Sequence, residues 1–156
     1  MMSLLVATDF SAGSRNAARV AARLAPSLGA TIVLMHVTDL PPGLTETTMI
    51  RPMPNLPSVQ AGQFVREATQ AELERLADEL RASGLAVATR VELGDPVESI
   101  LRVAKETAPY LIVVGTHGRT GLAHLLMGSV AEKVMRLALQ PVLTVPYRVH
   151  VPDAPN

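Results

Sequence analysis

The residues whose types and spacing could do chemistry lie between Leu111 and Val130, in the stretch LIVVGTHGRTGLAHLLMGSV. An apolar run from Tyr110 to Val114 leads into a turn carrying Gly115, Gly118 and Gly121, and Gly128-Ser129 then opens a helical pattern. Strand, glycine turn and helix start are the parts from which a phosphate site is made. Backbone N–H groups can converge where no Cβ obstructs them, and a helix start adds partial positive charge. Two more stretches follow predicted strands, Thr8-Asp9 after the first and Val37-Thr38-Asp39 after the second.

The common nucleotide fingerprints are absent. A P-loop needs lysine after glycine, and the only lysines are Lys105 and Lys133; the turn after the first strand reads Asp9-Phe10-Ser11, not GxGxxG. The four histidines, at 36, 117, 124 and 150, have no metal-ligand spacing. His117 has no partner carboxylate that the sequence identifies, which favours a loop-orienting or ligand-flanking role over a catalytic one. Arg119 is open between a phosphate partner and a solvated charge. Simpler roles stand beside these: Gly115 and Gly118 as turn formers, Asp9 as a local cap, and Ser129 as an N-cap with Glu132 as its box partner.

The elements that must position these residues follow from apolar periodicity. Ser3 to Thr8 is a strand buried on both faces, and Ser11 is the N-cap of a helix from Ala12 to Leu28 closed by Gly29. Thr31 to Val37 is the second strand. Residues 38 to 61 carry five prolines and no period, and read as a long loop. A helix over Gln63–Ser83 turns Phe64, Leu73, Leu76, Ala77 and Leu80 inward, and Leu85 to Val91 is the third strand. Asp95, Pro96 and Glu98 make a helix start with Val97, Ile100, Leu101 and Ala104 inward. After the glycine turn, Val130, Val134 and Leu137 share a helical stripe, and Val142 to Val145 is the fifth strand. The expectation is an α/β, Rossmann-like, doubly wound open sheet of five mainly parallel strands with helices on both faces, in a single domain over residues 1–147 with a tail at 148–156.

Composition narrows the function. Fourteen Lys and Arg balance fourteen Asp and Glu, which speaks against a nucleic-acid binder or a polybasic membrane binder. There is no cysteine, hence no disulfide or thiolate chemistry. The N-terminal run is broken by Asp9 and lacks a basic region, and no apolar run is long enough to span a bilayer. A cytoplasmic protein is expected. The last strand, with few charges, would expose an unpaired edge unless it met a copy of itself.

VVGTHGRTGLAHLLMGSVAEKVMRLALQPVLTVP resembles the signature region of the universal stress protein family, in its ATP-binding branch. LLVATDFS and the strand ending MHV are similar to that family's first two strands, and the likeness runs over about residues 3 to 146. It implies ATP, with Mg²⁺, as the ligand. Gly115, Gly118, Gly128, Ser129 and the Val130 backbone would hold ribose and phosphates, with His117 and Arg119 flanking. Asp9 would approach the ribose or a phosphate-bound Mg²⁺, and Val37 would meet adenine through its backbone. Ala7 stands where many relatives have proline. The resemblance also implies a homodimer through Val142 to Val145 and a regulatory, stress-response role without catalytic residues. A slow ATPase or phosphotransferase is the alternative, as is a scaffold that has lost nucleotide binding; the missing loop lysine argues against the first and the intact glycine spacing against the second.

Overall fold

A computed structural model of the chain describes residues 2–116 and 128–147. Five parallel strands form one sheet: β1 (Ser3–Thr8), β2 (Thr31–Thr38), β5 (Val87–Leu93), β6 (Leu111–Gly115) and β7 (Val142–Val145). Their order is β5-β2-β1-β6-β7. The chain therefore winds outward from β1 in one direction, then returns to the other side of β1. That reversal opens a crevice at the carboxyl ends of β1 and β6.

Among the described residues, two helices cover each face. Strand alternation sends Leu4, Val6, Ile32 and Leu34 to one core with α1 (Ala12–Leu28) and α2 (Ala61–Arg81). It sends Leu5, Met35, Ile112 and Val114 to a second core with α3 (Pro96–Thr107) and α4 (Ser129–Leu137). Burying a side chain such as Leu4 or Leu5 completely contributes about 1.5–3 kcal/mol. The buried stripe of α1 is Ala17, Ala18, Ala21 and Ala25, so this helix lies close to the sheet. The closeness shows at its first turn. A Cβ on Gly115 would stand 3.0 Å from the Gly13 carbonyl and 3.1 Å from the Ser14 nitrogen.

Several expectations need correction. The 38–61 stretch is not wholly loop: β3 (Met49–Ile50) and β4 (Val59–Gln60) pair antiparallel, and their ribbon is tied to the start of α2 by Ala61 N–H to the Thr48 carbonyl at 2.8 Å. Two-residue strands carry too little apolar alternation to be seen in sequence. Phe64 does not turn inward. It is 41% exposed because it sits in the first turn of α2, ahead of the buried stripe Leu73, Leu76, Ala77 and Leu80. Leu137 is likewise exposed, since α4 ends at that residue. The first helix is as expected: α1 runs from Ala12 to Leu28 with Pro26 inside it, and closes on Gly29 in the left-handed conformation.

Candidate functional site

A cleft of about 290 Å³ opens where the carboxyl ends of β1, β2 and β6 meet the first turns of α3 and α4. Its floor is apolar, from Ala7, Met35, Val37, Ile100 and Val114; its rim carries Asp9, Ser14, Gly115, Gly128, Ser129 and Val130. Six residues singled out in sequence thus line one space: Asp9, Val37, Gly115, Gly128, Ser129 and Val130. Asp39 does not line it. His117, Gly118 and Arg119 lie outside the described residues. Sequence reasoning missed Ser14, Met35, Pro96 and Ile100. The sheet face shared by Ala7 and Met35 could have pointed to the floor, had strand order been readable.

The turn between β1 and α1 is held by hydroxyls. Asp9 Oδ1 accepts from the Ser11 amide at 3.1 Å and from Ser11 Oγ at 2.6 Å. Ser11 caps α1 as expected, accepting from the Ser14 amide at 3.2 Å. Ser14 Oγ is 3.0 Å from Thr8 Oγ1 and accepts from the Asp9 amide at 3.3 Å. The local-cap role and the cleft-lining role of Asp9 therefore coexist, one oxygen serving the turn while the residue borders the cleft.

The start of α4 differs from the capping box foreseen for Ser129. Gly128 is the N-cap, in an extended conformation with φ −70° and ψ 150°, and its carbonyl accepts from Glu132 at 3.0 Å. Ser129 is already the first helical residue, one position past the N-cap, and the glycine that holds the cap position has no side chain to make a cap bond. The amides of Ser129, Val130 and Ala131 precede the first intrahelical bond, and all three residues line the cleft. Gly128 is also closely packed: a Cβ there would stand 3.0 Å from the Thr116 carbonyl oxygen. Donors at a helix start, a hydroxyl and an acidic acceptor surround an apolar floor. That set fits a ligand with a flat apolar part and a polar, anionic part.

Three carboxyls around β5 are shifted. Glu74 is held below its usual range by the Thr89 hydroxyl and by Arg81 at 2.7 Å. Burial pulls Glu92 upward, but hydrogen bonds from Arg102 at 2.9 Å and from Arg90 outweigh it and hold it low. Glu106 is lowered chiefly by Arg90 at 2.7 Å. Among the described residues, no group of three or more His, Cys, Asp or Glu could hold a metal ion.

The universal stress protein family matches residues 1–146. The universal stress protein YxiE of Bacillus subtilis is 32% identical over 145 residues, covering 91% of this chain and 97% of its own. The universal stress protein MJ0531 of Methanocaldococcus jannaschii is 30% identical over 146 residues, covering 91% of this chain and 80% of its own. The solved structure of MJ0577 from the same organism shares the fold with a TM-score of 0.73 at 25% identity, over 96% of this chain and 98% of that one. A universal stress protein solved with cAMP (TM-score 0.66, 24% identity, 94% of this chain and 97% of that one) and one of Archaeoglobus fulgidus solved with dAMP (0.62, 21%, 93% and 98%) have the same fold.

Proposed function

This chain belongs to the universal stress protein family, and on that premise we propose that it binds an adenine nucleotide, ATP with Mg²⁺, and acts in the cytoplasm as a regulatory module that signals through its occupied state. One observation carries the reading: Asp9, Val37, Gly115, Gly128, Ser129 and Val130, drawn from β2, β6, α4 and the turns before α1 and α4, border a single cleft. The floor by Val37 and Met35 suits the base. The amides of Ser129 to Ala131 and the Ser129 hydroxyl suit a phosphate, and Asp9 supplies an acceptor for a ribose hydroxyl or for the cation that accompanies the phosphates. When bound, Mg²⁺ would offset phosphate charge beside this carboxylate. Family neighbours solved with cAMP and dAMP support an adenine ligand. No catalytic role is assigned to any residue, and residues 1–147 are taken as one domain.

Native mass spectrometry with ATP, AMP and cAMP tests the reading. One ATP retained per chain is the expected outcome, whereas no retention of any of the three contradicts it.

The same proposal includes a homodimer through β7. Leu137 and Leu139, 60% and 92% exposed, lie just before this edge strand. Ile112 donates to the Pro141 carbonyl and Thr116 to the Val145 carbonyl, so alternation points the Thr144 amide away from β6 toward the free edge. Thr144→Pro removes that donor and spares the β6 ladder. Light scattering should then report monomers from a dimeric parent; a variant that remains dimeric places the interface elsewhere.

A further inference from the structure

Phe10 is held in the left-handed region at φ 62°, and Ala108 is the other described non-glycine residue with positive φ. Ala108 has a local reason, since it closes α3 and returns its amide to the Ala104 carbonyl. Phe10 closes no helix. A bulky side chain is a poor choice for this conformation, so the surroundings must over-determine it. They do so through His36. The Phe10 ring stacks on the buried imidazole with centroids 4.4 Å apart and planes at 29°. His36 Nδ1 lies 2.6 Å from the Thr8 carbonyl oxygen, which can only accept, so this nitrogen carries the proton. Arg15 Nε donates to the Phe10 carbonyl at 3.2 Å, and the Phe10 amide donates to Thr8 Oγ1 at 3.1 Å.

Asp9 therefore sits between two residues that His36 holds, Thr8 by its carbonyl and Phe10 by its ring. The hold comes from the far side of the sheet. Met35 and Val37 face the cleft, so alternation turns His36 to the opposite face, where Phe10 packs against the α1–α2 core. We infer that the Phe10–His36 stack is a positioning clamp for the cleft, fixing from the other sheet face the turn that presents Asp9. Neither residue touches the ligand space, and the pair acts through Asp9. For its effect on affinity the inference rests on the nucleotide reading above, and for its effect on the turn it does not.

The test compares the full chain with Phe10→Gly, Phe10→Asn and Phe10→Tyr. Glycine and asparagine accept the left-handed backbone without the ring, so one remains informative should the other fold poorly, and tyrosine keeps the ring. Amide hydrogen exchange should quicken about tenfold at Asp9, Phe10 and Ser11 in the Gly and Asn variants, the loss expected of one aromatic pair. The α1 amides of Ala18 and Ala21 should keep the parent rate, and Phe10→Tyr should exchange as the parent does. Calorimetric affinity for Mg-ATP should fall about tenfold in the Gly and Asn variants and recover in Phe10→Tyr. Turn amides that exchange at the parent rate overturn the clamp. Faster turn exchange with unchanged Mg-ATP affinity overturns its role in positioning. A parent protein that binds no Mg-ATP sinks the nucleotide reading instead, and the exchange arm still decides the clamp.

Discussion

Two of the described regions are dense in polar groups, and they are built from different parts. Around β5 the partners are opposite charges. Glu92 lies between Arg90 and Arg102, Glu106 meets the same two arginines, and on the other side of the strand Arg81 joins Glu74 and Asp78, each at 2.7 Å. Gln70 ties Glu74 to Thr89 at 2.8 and 2.7 Å. At the β1–α1 turn hydroxyls and amides hold one another and Asp9, and the group borders an apolar hollow and the first turn of α4. Shifted ionisation often marks active sites. Around β5 it accompanies an edge strand whose charges answer one another, a device that also discourages pairing along that edge. The ligand site is marked by missing Cβ atoms, hydroxyls and helix-start donors.

The largest expected effect separates packing from binding. Gly115→Val should destabilise the protein by about 2–3 kcal/mol, because its side chain would drive into the Gly13–Ser14 backbone, which cannot give as a flexible side chain can. A urea titration checks this; a variant as stable as the parent would mean that α1 shifts freely. Loss of ligand in such a variant would therefore say little about the site.

Next comes Glu92→Gln, expected to cost about 1 kcal/mol near neutral pH, since it takes a mostly buried carboxylate from two part-exposed arginines. The sign with pH follows from the lowered carboxyls. Glu74, Glu92 and Glu106 stand below 4.5 in the folded chain. Their contribution is complete above the unfolded value and is lost as pH falls through the folded ones. The parent should thus lose stability below about pH 4.5 more steeply than Glu92→Gln. Parallel acid limbs would show that the network contributes nothing.

The smallest effect on stability belongs to Ser129→Ala. Its hydroxyl caps nothing, so the urea midpoint should move by less than about 0.5 kcal/mol equivalent, while Mg-ATP affinity weakens several-fold. A clear loss of stability would restore the capping role the structure denies it.

Much of the frame was legible in the residues. Asp95 does cap α3, accepting from the Glu98 amide at 2.9 Å, with Pro96 at the first position, because capping is a contact between near neighbours. The apolar runs of β1 and β2 and the Ser11 cap were readable for the same reason. What could not be read depends on distant approach. Gly115 looked like a ligand glycine, and its tightest constraint is α1; Gly128 looked like a phosphate contact, and it also packs on Thr116. Ser129 matched a capping pattern, but the chain enters α4 one residue earlier. Phe10 and His36 gave no sign of meeting, being far apart in sequence and joined only by the β1–β2 register of Thr8 with His36.

Amide NMR spectra of the full chain, titrated with Mg-ATP, set the two regions against each other in one experiment. The account predicts saturable shifts at Asp9, Gly115, Ser129, Val130 and Ala131, with Arg90, Glu92 and Glu106 unmoved. Shifts concentrated around β5, or none at saturating nucleotide, would contradict it.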